Sequence, residues 1–197
     1  MLKLGLTGNI ASGKSFVESI FIQEGISCID SDKIVHDLLA YDDFVISKVY
    51  SLFENLDILN EKGKINRQKL GSIVFKDKEK LKALELILHP IVKDKINRFF
   101  SDNYDKKLAV AVVPLLFEAN MADMFDKIII VGVDSATQIQ RLMKRNNFTE
   151  EEALLRIKSQ ISQEEKIKKA DFILWNNGSL EELTTLAKNL INELLNA

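Results

Sequence analysis

Residues Gly8-Asn9-Ile10-Ala11-Ser12-Gly13-Lys14-Ser15 satisfy the pattern G-x-x-x-x-G-K-[ST], and the periodicity of the chain changes across them. Leu2, Leu4 and Leu6 alternate before the loop as in a strand, whereas Phe16, Val17, Ile20 and Phe21 recur after it at helical spacing. A strand passing to a helix through such a loop is a phosphate cradle. Gly8 and Gly13 let the backbone turn and approach an anion without a Cβ clash, so that successive N–H groups face it and the helix N-terminus adds positive potential. Lys14 is then expected between the β- and γ-phosphates of a nucleoside triphosphate, with the Ser15 hydroxyl on Mg²⁺. An ordinary Gly-containing turn needs neither the lysine nor the hydroxyl. Gly8 through Ser15, with Phe16 after them, are therefore the candidate nucleotide contacts.

Composition narrows the remaining classes. The 197 residues, 46% of them hydrophobic, suit one compact domain with a sizeable core. A formal charge of −2 argues against a broad nucleic-acid or membrane footprint, so any anion site is local. One cysteine, Cys28, permits no internal disulfide, suits a reducing compartment and reads as a small buried residue. The longest apolar run, residues 108–117, contains Pro114 and falls well short of the ~18 residues of a membrane span. With no secretory signal visible, a cytoplasmic protein is expected, monomeric or weakly self-associating.

Apolar runs at Leu2–Thr7, Ile26–Ile29, Leu108–Val113, Ile128–Val133 and Phe172–Trp175 lack full polar alternation and read as buried parallel strands. Helix-length segments between them predict an α/β fold with a right-handed, doubly wound, five-stranded parallel sheet. Residues 33–107 are too long for one crossover and predict a helical insertion for the phosphoryl acceptor. In that insertion residues 60–64 form a turn, Asn66 caps a helix, and Leu81, Leu84, Glu85 and Leu88 mark another helix, expected to end near His89-Pro90. Residues 141–169, rich in Lys and Arg, predict a helical lid, with Thr149 and Glu152 boxing a helix start. Residues 1–32, 108–140 and 170–197 remain as the nucleotide-binding core. Ser179-Leu180-Glu181-Glu182 opens the last helix, whose stripe is expected to be Leu180, Leu183, Leu186, Ala187, Leu190, Ile191 and Leu194.

The second strand ends in Asp30-Ser31-Asp32, at the carboxyl edge where open α/β sheets bind ligands. Strand alternation would aim both carboxylates the same way, one to accept a proton from an attacking hydroxyl and the other to order the acceptor or the waters of Mg²⁺. Either aspartate can instead cap a helix beginning near Lys33. Arg141 and Arg145, four apart, would share one helix face and grip the transferring phosphoryl group, or form a solvated basic face. Asp134 is a candidate metal carboxylate but more naturally a helix cap. Glu118 either touches substrate or anchors the sheet edge. His36 and His89 have no partners at zinc-site spacing.

In this order these pieces resemble the dephospho-coenzyme A kinase family across nearly the whole chain. The residues that carry the resemblance are Gly5-Leu6-Thr7-Gly8 with Ser12-Gly13-Lys14-Ser15, Asp30-x-Asp32, Arg67-x-x-Leu70 with Phe75, and His89-Pro90. They continue with Val113-Pro114-Leu115-Leu116-Phe117-Glu118, Gln138-x-x-Arg141-Leu142-x-x-Arg145, Arg156-x-x-x-Gln160, Ala170-Asp171 and Asn176-x-Gly178. The resemblance implies ATP- and Mg²⁺-dependent phosphorylation of the ribose 3′-hydroxyl of dephospho-coenzyme A. It implies catalytic roles for Lys14, Arg141 and Asp32, the last as base, and Arg145 on the nucleotide. Asp30, Asp32, Arg67, His89, Leu116 and Glu118 are the implied acceptor contacts. Asn9 and Ala11 stand where the loop usually has glycine, and Phe16 where threonine is common; the loop geometry is expected to survive these changes. A kinase for another small metabolite or nucleoside would share fold and loop. A GTPase-like switch is disfavoured because D-x-x-G and N-K-x-D elements are missing.

Overall fold

A computed structural model describes residues 1–54 and 56–196, which form two compact units, Met1–Asp30 with Phe99–Ala197, and Ser31–Arg98. In chain order the elements are β1 (Leu2–Thr7), α1 (Lys14–Gln23), β2 (Ser27–Asp30), α2 (Ser31–Tyr41), α3 (Asp43–Leu52), α4 (Arg67–Val74) and α5 (Lys78–Asp102). They continue with β3 (Leu108–Val112), β4 (Lys127–Gly132), α6 (Ser135–Asn146), α7 (Glu150–Lys158), α8 (Gln163–Ile167), β5 (Phe172–Trp175) and α9 (Leu180–Asn196).

The five strands form one parallel sheet in the order β2-β3-β1-β4-β5. The strand that delivers the phosphate loop is therefore central, with Leu6 in register with both Val112 and Ile129. All of β3 is buried, as expected of a strand covered on both faces. Leu4, Leu6, Val17, Phe21, Val110, Ile129 and Val131 join Leu183, Ala187 and Ile191 of α9 in the core. Burying each such large apolar side chain contributes roughly 1.5–3 kcal/mol. Cys28 packs partly buried at the margin of that cluster. On α9 the capping box of Ser179 and Glu182 forms, but Leu180 and Leu186 are exposed. The expected stripe narrows because Leu180 begins the first turn and Leu186 falls on its flank.

In the second unit the turn at residues 60–64 closes a bridge between Leu59 and Ile65, and the Asn66 carboxamide caps α4 by accepting from the Gln68 and Lys69 amides. The helix expected to end at His89-Pro90 does not: α5 continues to Asp102 with Pro90 inside it. Proline in a helix interior costs about 3 kcal/mol. Leu84, Leu88, Val92 and Ile96 are nonetheless all buried, one every four residues on both sides of Pro90, and their combined burial outweighs that cost. Pro90 itself lies exposed, as does Leu86, whose carbonyl loses its partner. A second expectation also fails. α2 starts at Ser31, directly after β2, so Asp32 sits in its first helical turn and strand alternation stops at Asp30.

Candidate active site

The phosphate loop is shaped by backbone angles that few residues tolerate. Gly13, the N-cap of α1, has φ 100°, and a Cβ there would collide with the Asn176 side-chain amide. Gly8 has φ 151°, and a Cβ would stand 2.6 Å from the Val131 carbonyl oxygen. Ala11 adopts a left-handed φ of 61° despite its side chain. The first amides of α1 have no preceding helical carbonyl to bond, so the helix start is the natural anion site of this unit. The Lys14 ammonium lies 2.7 Å from the Gly8 carbonyl oxygen and 3.2 Å from that of Asn9, held across the loop.

Directly against this helix start lies a cavity of about 620 Å³, lined by Ala11, Gly13, Lys14, Ser15, Arg141, Lys144 and Arg145. Four of these residues are cationic and none is acidic. α6 supplies three of the four because Asp134 caps it, accepting from Thr137 N–H, and its positions 141, 144 and 145 share one face. Asp134 is thus the helix cap, and its hydrogen bonds to the Thr137 amide and hydroxyl hold its carboxyl below the usual carboxylate range. Arg141 is aimed by Asn176, donating to its backbone carbonyl at 3.1 Å and its side-chain oxygen at 3.2 Å. The buried Asn176 in turn donates to the Ser12 carbonyl at 2.8 Å, so one carboxamide braces both loop and arginine. Arg145 is exposed and donates to Asn146.

The other side of the loop is consumed by protein. The Ile10 N–H donates to Gln160 at 2.8 Å, while the Ile10 carbonyl accepts from Gln138 at 2.8 Å. Asn9, 1% exposed, donates its side-chain amide to the Ile161 carbonyl. Phe16 packs against the core, and its amide bonds the Gly13 carbonyl. The Asn9 side-chain amide and the Phe16 ring are therefore held by protein, while Asn9 Oδ1 is buried without a partner among the described residues and Ala11, Lys14 and Ser15 line the cavity. Glu118 pairs through Oε1 at 2.8 Å with Lys166, which is 0% exposed, and the same oxygen accepts from the Ile161 N–H, while its buried Oε2 has no partner among the described residues. Leu116 is fully buried, its side chain in the core beside Gly5 and its carbonyl accepting from Met121.

Asp30 ends β2 opposite Val112. In the second unit Asp32 is exposed in the first turn of α2, Arg67 is exposed at the first position of α4, and His89 is half-buried on α5. Burial lowers the His89 pKa, with Lys93 acting in the same direction and Glu85 opposing. The Asp171 carboxyl, raised by burial, is brought below its usual range by Lys127 and the Ile128 N–H, a tie between β4 and β5.

The residues fit a magnesium triphosphate. Gly8 and Gly13 form a cradle that a Cβ would fill, and the buried Ser12 hydroxyl has no partner among the described residues. Ser15, the hydroxyl-bearing residue after Lys14, lines the cavity. Among the described residues no three His, Cys, Asp or Glu side chains gather at one point. Nor is any helix among them long and apolar enough to cross a membrane.

The family model for dephospho-CoA kinase matches residues 2–182. A dephospho-CoA kinase of Bacillus cereus is 42% identical over 185 residues, covering 92% of each chain. One of Listeria innocua is 41% identical over 197 residues, covering 98% of this chain and 97% of its own. The solved dephospho-CoA kinase of Campylobacter jejuni superposes with a TM-score of 0.75 at 33% identity, over 98% of this chain and 97% of that one. With a cationic, glycine-shaped phosphate cradle and this likeness along nearly its full length, the chain belongs to the dephospho-CoA kinase family.

Proposed function

We propose that the chain transfers the γ-phosphoryl group of ATP to the ribose 3′-hydroxyl of dephospho-coenzyme A, giving coenzyme A and ADP. The observation that carries this reading is the cavity at the start of α1, where Lys14, Arg141, Lys144 and Arg145 converge with no carboxylate. Such a lining suits a polyanion, and the family supplies the acceptor. In-line transfer through a loose transition state spreads charge over the γ-oxygens, so positioning and charge stabilisation are the protein's main tasks. Lys14 bridges the β- and γ-oxygens, while Arg141, held by Asn176, and Arg145 take up charge on the transferring group. Ser15 would hold Mg²⁺, which when bound would supply neutralisation of phosphate charge. The segment 141–169 serves as a lid that excludes water.

Asp32 is the proposed base, orienting the acceptor hydroxyl and receiving its proton; Asp30, Arg67 and His89 are proposed on the acceptor side. Exposure of Asp32 suits a group that must meet a substrate. A cytoplasmic, monomeric or weakly associating enzyme completes the proposal. Purified protein with Mg-ATP is offered dephospho-coenzyme A, adenosine and nucleoside monophosphates in separate reactions, and products are identified by mass. Phosphorylation of dephospho-coenzyme A alone is expected; transfer only to another acceptor overturns the substrate assignment. Asp32→Asn should keep ATP binding and lose most turnover, and unchanged turnover removes Asp32 from the base role.

A further inference from the structure

Asn9 belongs to the phosphate loop by position, but its side chain does something else. It is 1% exposed and has no positive φ, so neither solvent contact nor backbone freedom explains it. Its amide donates at 3.1 Å to the carbonyl of Ile161, in the corner between α7 and α8. The N–H of the same Ile161 donates to Glu118 at 3.1 Å, so one residue of the corner is gripped at both its polar groups. Glu118 is neutralised by the buried Lys166, and Lys166 also donates to the Pro114 carbonyl at 3.3 Å. That carbonyl accepts from the Thr7 hydroxyl at 3.3 Å, two residues before Asn9. The contacts thus run as a closed ring from the end of β1 through Pro114, Lys166, Glu118 and Ile161 back to the loop. Gln160, next along the corner, holds the Ile10 N–H.

We infer that Asn9 is a positioning residue for nucleotide binding, acting on the cavity-lining residues 11 and 13–15 by tying the first half of the loop to the corner between α7 and α8. The loop divides its polar groups accordingly. The Asn9 side-chain amide and both backbone polar groups of Ile10 go to Ile161, Gln160 and Gln138, and the Asn9 carbonyl accepts from Lys14. The buried Asn9 Oδ1 has no partner among the described residues, and residues 11 and 13–15 line the cavity. Rigid neighbours of this kind fix the donors of a site, and a small displacement of donors costs affinity. The corner lies within the same 141–169 segment that brings Arg141 and Arg145 to the cavity, so its end is anchored to the loop that the arginines face. The inference rests on the nucleotide half of the function proposed above and is independent of the acceptor.

The test is Mg-ATP binding by calorimetry, without acceptor, for the unsubstituted protein, Asn9→Ala, Gln160→Ala and the double variant, with thermal melting alongside. Each single variant should weaken ATP about tenfold, the effect of removing one hydrogen bond and leaving its partner unsatisfied. The double variant should lose less than the product of the two, because both side chains hold the same corner. In turnover assays the KM for ATP should rise while the KM for the acceptor stays put. A lowered melting temperature with unchanged affinity makes Asn9 merely structural and overturns the inference. A weakened Asn9→Ala beside an unaffected Gln160→Ala also overturns it, since Asn9 then acts on the nucleotide directly. If Asn9→Ala does not fold, Gln160→Ala alone decides. Absence of ATP binding by the unsubstituted protein overturns this inference and the nucleotide reading together, whereas ATP binding without phosphorylation of dephospho-coenzyme A leaves the inference standing.

Discussion

Two lysines serve the same phosphate loop in opposite ways. Lys166 is 0% exposed and 2.8 Å from Glu118, its charge neutralised inside the protein. Lys14 lines a cavity beside three further cations and no acid, its ammonium resting on loop carbonyls. Like charges gathered without an acid raise the energy of the folded chain unless something anionic joins them. The contrast separates a cation that holds the fold from cations set out for a ligand, although both are lysines within one unit. Substitutions on the two sides should therefore report in different measurements.

The largest effect is expected at the neutralised pair. Lys166→Met strands the Glu118 carboxylate in a buried setting and should cost about 3–5 kcal/mol of stability, read by urea unfolding. Adding Glu118→Gln, which keeps an acceptor for the Ile161 N–H but removes the charge, should restore most of that loss. If the double variant is no better than Lys166→Met, the charge pairing is not what Lys166 provides. On the cavity side Lys14→Ala should lower kcat/KM by roughly 10²–10³-fold, the range for removing one preorganised charge-stabilising donor. Its unfolding free energy should stay within about 0.5 kcal/mol, as for a substitution away from buried pairs. A large stability loss would mean that Lys14 holds the loop and the two lysines do not differ in kind. Lys144→Ala is next, with KM for ATP expected to rise about three- to tenfold as one exposed charge leaves the cavity.

His89 carries the contrast into the second unit, where burial acts on a titrating group without a full counter-charge. Its folded pKa lies below the ordinary 6.5 because burial disfavours the imidazolium and Lys93 adds to that, with only Glu85 opposing. As pH falls through 6.5 the unfolded chain takes the proton first, so the unfolded state holds more protons and stability declines. The slope should not exceed about 1.4 kcal/mol per pH unit. Unfolding measured between about pH 7.5 and 5.5 should show this decline, reduced in His89→Gln; an unaltered slope would assign the pH dependence elsewhere.

What could be read from the chain alone follows the range of the interactions. The loop, the Asp134 and Thr149 caps and the shared face of Arg141 and Arg145 are local patterns, and the structure builds them as written. Lys144 escaped as a cavity residue although it lies three after Arg141, because one more base in a basic run carries no local mark. Asn176 and Gln160 were visible only as matches to a family pattern. Their work depends on contacts across 164 and 150 residues, made when β5 and the corner before α8 fold beside the loop. Pro90 misled for the converse reason. The local rule was sound, but a buried stripe on both sides of it outweighed the missing hydrogen bond.

The smallest expected effect lies at the boundary between the two kinds of residue. Ala11 faces the cavity and bears a left-handed φ of 61°, which costs a residue with a Cβ roughly 1–2 kcal/mol. Ala11→Gly removes that strain but returns about 0.4–1 kcal/mol of freedom to the unfolded chain. The net gain should be no more than about 1.6 kcal/mol, a rise in Tm of at most roughly 3–6 °C for a chain of this size. Nucleotide affinity should change less than about threefold, below 0.7 kcal/mol, because the loop is already held by Asn9, Gln138 and Gln160 from behind. A stabilised variant that binds ATP much more weakly would show that the strained alanine itself sets the donor geometry, moving Ala11 from the scaffold to the site.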